Sequence, residues 1–182
     1  MTSSALPTSP KAAAALLIPV LIGSAVAVSL GFYGSLHDAT RISLSVPGFS
    51  NLIWVKVWLA TVAALLAVVQ LVTARLMWRP TSGSWVAPLH RWSGRLAFLF
   101  TLPVMVHCLY SIGFSTFDLR SLAHSVLGCV FFGAFTVKML ILPKRDLPGW
   151  VLPVVGGIVF TVLVALWGTS SAYMFATEGV RL

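Results

Sequence analysis

Five apolar runs, at residues 12–33, 51–77, 90–113, 121–142 and 149–175, are separated by short polar links. Each run is about the twenty residues that a helix needs to cross hydrocarbon. In lipid the backbone must satisfy its own polar groups, which leaves helices or closed barrels. The runs are long and do not alternate between apolar and polar residues, so the pattern excludes barrel strands. Composition agrees: 58% of the chain is hydrophobic and 9% charged, where soluble domains carry roughly 25% charged residues. The expected fold class is therefore an all-α integral membrane protein, with five transmembrane helices in one bundle spanning 11–182.

Residues 1–10 are small and polar with two prolines, Pro7 and Pro10, and read as a mobile tail. A signal peptide is the rival reading of the first run, because Lys11 precedes it. That run is longer than the roughly 7–15 residues of a signal sequence's apolar region, which favours a retained helix. Pro19, Gly23 and Gly31 within it are tolerable in a membrane helix, where neighbours satisfy the freed backbone groups.

The net charge of +8 raises the question of nucleic acid, but the cations sit between apolar runs and form no basic domain. They instead orient the chain. Lys11, Arg75, Arg79, Arg91, Arg95, Lys138, Lys144 and Arg145 fall on the side of the amino terminus, and Arg41, Lys56, Arg120 and Arg181 on the other. The positive-inside rule then places the amino terminus in the cytoplasm and the carboxyl terminus outside, in the cell membrane. Five crossings give the same parity.

The four acidic residues, Asp38, Asp118, Asp146 and Glu178, lie in links and at the carboxyl terminus. With no intramembrane carboxylate to serve as a base, a hydrolytic enzyme is the reading least favoured. Cys108 and Cys129 lack the CxxC spacing of zinc and redox sites and read as small buried hydrophobes. No internal repeat is present, which weighs against a metal permease built from repeated halves.

Ionisable groups inside apolar runs are where function is sought, and three of the four histidines lie between His90 and Lys138. His90 and His107 are seventeen residues apart on one helix, about 25 Å at 1.5 Å per residue, so they cannot share a metal. His90, beside Arg91, reads as an interfacial residue. His107 and His124 flank the short link 115–120, so an antiparallel pair of helices puts them at similar depth in the outer half. Two imidazoles facing each other across two helices are the axial arrangement of a six-coordinate haem. Gly128, one turn past His124, leaves space for a porphyrin. Phe131 and Phe135 continue that stripe, and Val104, Tyr110 and Phe114 accompany His107. Pro103 is expected to kink the third helix and widen the gap. Arg120, with Arg41 or Lys56, is placed to pair with propionates, although Lys56 also reads as a lysine snorkelling to the surface. His37, in the link 35–50, is the alternative ligand.

The run His90-Arg91-Trp92-Ser93-Gly94-Arg95-Leu96-Ala97-Phe98, followed by His107, resembles the opening of a helix in small b-type cytochromes. These include the ascorbate- and ferric-reductase-like transmembrane families and the haem subunit of a bacterial methionine sulfoxide reductase system. The resemblance covers about fifty residues, His90 to Lys138. It implies a haem b subunit carrying electrons between the quinone pool and a redox protein partner on the outer face, with His107 and His124 as iron ligands. Such families commonly bind two haems with four histidines, and here the inner half offers His90 without a histidine partner. One haem is therefore the expectation and a second is doubtful. The flavin and nucleotide domains of full ferric reductases are missing. The alternative reading is a haem-free membrane subunit or scaffold of a larger complex.

Overall fold

A computed structural model describes residues 10–42, 47–144 and 147–182, with side chains from residue 14 onward. The expected tail at 1–10 lies outside the described residues except for Pro10, as do Arg145 and Asp146. Among the described residues the structure is all helical. Helix α1 spans Pro10–Leu36, α2 Leu52–Met77, α3 Val86–His107, α4 Leu119–Ile141 and α5 Val151–Trp167. Two spans continue past a π-helical turn: α3 into Cys108–Ile112, and α5 through Gly168–Ala172 into α6, Tyr173–Glu178. The five spans so formed, of 23, 26, 27, 23 and 28 residues, are each long and apolar enough to cross a membrane.

Side chains set the starts of α2 and α4. Asn51 accepts from the backbone N–H groups of Ile53 and Trp54 at 3.0 and 3.3 Å. Asp118 accepts from Ser121 N–H at 3.0 Å and from its hydroxyl at 2.6 Å. Both caps fill donors that a helix start leaves open. Helix α3 begins at Val86, earlier than the apolar pattern suggests, because Pro88 in its first turn needs no N–H partner there. The helix then runs through Pro103, and its departure from α geometry comes at Cys108.

Helix α1 packs on α4, α4 on α5, α5 on α2 and α2 on α3. The π turn ending α3 returns to α1 and closes the ring. There Thr40 N–H donates to Tyr110 O at 3.2 Å, Arg41 N–H to Ser111 O at 3.1 Å, and Phe114 N–H to Gly34 O at 2.9 Å. The α1–α4 crossing is a backbone contact between Gly23 and Gly133. A Cβ on Gly133 would lie 2.6 Å from Gly23 O and 2.9 Å from the Ala27 Cβ. One on Gly23 would meet Gly133 O and the Val137 side chain. Small residues are what allow such approach in lipid, where helices gain little from hydrophobic exclusion.

The α3–α4 pair is different: their backbones stand apart, and aromatic side chains bridge them over one half of their length. Phe98 stacks on Phe135 with ring centroids 3.9 Å apart and meets Phe132 edge-on at 6.0 Å. Phe131, at 3% exposure, joins Ala67, Val159 and Leu163 in the core. Over the other half the gap is open.

Gly133→Ala is expected to destabilise the bundle by about 1–3 kcal/mol, the range for forcing atoms into a filled contact. Gly156→Ala, where the added methyl meets nothing within 4 Å, is the control and should leave the protein unchanged or slightly more stable. Thermal unfolding in detergent, followed by helical circular dichroism, checks both.

Candidate functional site

The open half of the α3–α4 gap is a cavity of about 350 Å³, at the low end of the roughly 300–1,000 Å³ typical of ligand sites. Every span contributes to its wall. Helix α2 presents Lys56 and Ala60, α3 Thr101 and Met105, its π turn Cys108, and α4 Arg120, Ser121, His124 and Gly128. Leu30 of α1 and Leu166 and Thr169 of the fifth span complete the ring. Phe131 and Phe132 close the end nearest the Phe98–Phe135 stack. Both π turns line this cavity, and π turns occur often at functional sites because they re-aim side chains.

His124 is fixed by a residue that the sequence pattern does not single out. Its Nδ1 lies 3.0 Å from the Thr169 hydroxyl. That hydroxyl has one proton, which it donates to the carbonyls of Ala165 and Leu166, 2.9 and 3.1 Å away. With its proton turned to those carbonyls, the Thr169 oxygen can accept from His124 Nδ1–H, an arrangement that in the neutral ring leaves the Nε2 lone pair free. A neutral imidazole held by its far nitrogen is the form that ligates a metal. Thr169 also holds Arg120: Nη1 donates to Thr169 O at 2.7 Å and Nη2 to Ser121 Oγ at 3.3 Å. The guanidinium lies 4.1 Å from the Tyr173 ring centroid, a cation–π contact.

Neighbouring bonds hold Thr169 in place. Ser171, at 0% exposure, donates to Val57 O on α2 at 3.1 Å. Trp167 Nε1–H donates to Thr61 Oγ1, also on α2, at 3.0 Å. The π turn is thus pinned to α2 on one side and presents Thr169 to α4 on the other.

The other expected residues divide. Gly128 is on the wall, and a methyl there would meet nothing within 4 Å, so its missing side chain is part of the open space. The Lys56 ammonium lies 3.9 Å from Cys108 Sγ, and both residues line the cavity. His107 is half-buried but is not part of the wall. The cavity-facing stripe of the third span runs Thr101, Val104, Met105, Cys108 and Ile112, and His107 lies one position off it. Tyr110 is also turned away. With Tyr33 it sandwiches His37, at centroid distances of 5.0 Å on each side. His37 Nε2 is buried and has no partner among the described residues. His90 is no simple interfacial residue, since its Nδ1 lies 2.8 Å from Thr73 Oγ1 at the α2–α3 crossing. Gln70 donates there to His90 O and to Ser93 Oγ.

The wall thus combines one imidazole, a glycine gap, aromatic cover and two cations. Among the described residues no three His, Cys, Asp or Glu side chains are gathered to hold a bare metal ion.

Thr169→Val keeps the side chain's shape and removes the acceptor. Leaving a half-buried N–H unpaired costs about 1–3 kcal/mol, so unfolding in denaturant should shift by that amount. In ¹⁵N spectra of histidine-labelled protein, the His124 ring should change from a single Nδ1–H tautomer to a mixture.

No curated protein and no solved structure matches the chain. The family profile that does match covers residues 16–182, nearly the whole of it, and the chain belongs to that family, DUF6529, a family of unknown function.

Proposed function

We propose that this protein is a membrane cytochrome subunit that holds one haem b in the cavity between α3 and α4, with His124 as an iron ligand. The observation that carries this reading is the His124 ring on the wall of an apolar cavity, held through Nδ1 by the Thr169 hydroxyl. Gly128 leaves room beside it, and Phe131 and Phe132 supply apolar cover. Haem iron contributes one-electron redox chemistry whose potential its axial ligands and surroundings tune.

The chain's own residues do the rest. Thr169 fixes the ring orientation and tautomer of His124, as outer partners of metal-bound histidines do. Arg120 and Lys56 place positive charge at the rim, and the Phe98–Phe135 stack limits the cavity to one half of the bundle. His107, also expected as a ligand, lies off the wall. The proposal therefore rests on His124. The excess of cations on the His90 side supports an orientation with the cavity in the outer half. In that orientation the protein would carry electrons between the quinone pool and a redox protein at the outer face.

The test is a reduced-minus-oxidised absorption spectrum of purified protein, with haem counted per chain. Wild type should carry about one haem b per chain. His124→Ala should lose the band while keeping its helical circular dichroism, and His107→Ala should retain it. An unchanged band in the His124 variant overturns the assignment. A colourless wild type, from cells replete in haem, favours the haem-free subunit instead.

A further inference from the structure

The cavity wall contains two cations and no acid. None of the described acidic residues, Asp38, Asp118 and Glu178, lines it. Asp118 is occupied in capping α4 through the Ser121 N–H and hydroxyl, and Glu178 pairs with Arg181 at 3.4 Å. No carboxylate stands beside Lys56 and Arg120 on this wall, and Asp118 reaches Arg120 through the shared Ser121 hydroxyl.

The position of Lys56 makes this informative. It lies four residues into α2, about 6 Å from the helix start, within easy reach of water for a side chain of its length. Its ammonium is nevertheless at Cys108 Sγ, 3.9 Å away, a weak acceptor that does not neutralise it. On the cavity-facing stripe of α2, Ile53, Lys56, Val57 and Ala60, it is the one polar side chain. Arg120 comes from the opposite side, on α4. Two of its five N–H donors are spent on Thr169 O and Ser121 Oγ, and the rest are free to bind an anion. A lysine and an arginine on separate helices, both lining an apolar space with no carboxylate among its described wall residues, complement an apolar body carrying two acidic groups.

We infer that Lys56 and Arg120 are the specificity determinants of this cavity, selecting a ligand with two carboxylates over the same ligand without charge. The inference rests on the haem reading, under which the two carboxylates are the propionates, and assigns one cation to each. A neutral macrocycle of the same shape would leave both cations unpaired in a partly desolvated space. Charge-assisted hydrogen bonds contribute more than neutral ones, so the discrimination should be large.

The experiment titrates apo-protein in detergent with haem b and, separately, with its dimethyl ester, following the absorption change. Wild type should bind haem b at least tenfold more tightly than the ester. Lys56→Met should weaken haem b by about tenfold and leave the ester nearly unaffected, with Lys56→Arg restoring most of the difference. Arg120→Gln should act in the same direction; because Arg120 also braces Thr169 O, its helical content is measured alongside. Equal affinity of wild type for the two macrocycles overturns the inference while the haem reading stands. An undiminished preference for haem b in Lys56→Met overturns the role of Lys56. Binding of neither macrocycle defeats the haem reading itself, and so does a colourless preparation that carries a stoichiometric anionic lipid.

Discussion

Two groups on Thr169 hold the site together: its hydroxyl orients His124 and its carbonyl anchors Arg120. Both act because the fifth span leaves α geometry at Gly168–Ala172. In hydrocarbon a helix departs from its regular ladder only where neighbouring groups satisfy what is released. Here Ser171 and Trp167 bond to α2 on one side of the turn, and Thr169 bonds to α4 on the other. The second π turn, at Cys108–Ile112, is satisfied in the same manner by the strap that follows α1. The cavity lies between these two irregular turns.

Its existence also depends on where the helices pack closely. The Gly23–Gly133 crossing brings α1 and α4 together at their backbones, and between α2 and α3 the Gln70 side chain packs against Gly94, where a Cβ would lie 2.9 Å from Gln70 Oε1. With α1 against α4 and α2 against α3, the α3–α4 hairpin need not be tight. Large rings bridge it at one end, and nothing of similar size does so at the other. The cations at the open end are costly to place in a membrane, roughly 2.5–3.5 kcal/mol each at a helix centre on insertion scales and less near the ends. Such a cost is offset only by partners. Arg120 has some within the protein, and Lys56 has little.

Much of this was legible in the sequence, because the information was periodic or compositional. Five spans follow from run length and low charge, and Arg120, His124 and Gly128 were found from spacing along one helix. What was not legible depended on rotation and on long-range pairing. A stripe through His107 and a stripe through Cys108 differ by one residue, about 100° of helix, and no apolar run distinguishes them when every side of the helix is apolar. The π turn then shifts the register again, so Tyr110 faces His37 and not the cavity. Thr169 was missed for a related reason. A threonine in a Gly-Thr-Ser-Ser run gives no sign of a site until the fifth span is known to lie against α4. The one available hint was Gly168-Thr169-Ser170-Ser171 itself, four small or hydroxylic residues inside an otherwise apolar span.

The two histidine–threonine pairs show what separates a packing residue from a candidate ligand. His90 and Thr73 repeat the chemistry of His124 and Thr169: a threonine hydroxyl donates to a carbonyl one turn back, Val69 O at 2.6 Å, and the imidazole bonds to its oxygen through Nδ1. By hydrogen-bonding partner alone the two rings are equivalent. Their surroundings differ. His90 sits at a closed crossing where Gln70 and Ser93 fill the space and Gly94 serves contact. His124 sits where Gly128 opens the space and two cations face it. A buried histidine within a membrane span is therefore too weak a sign of a binding site. The distinguishing feature is unfilled volume beside the free nitrogen, with charge nearby that the protein itself leaves unbalanced.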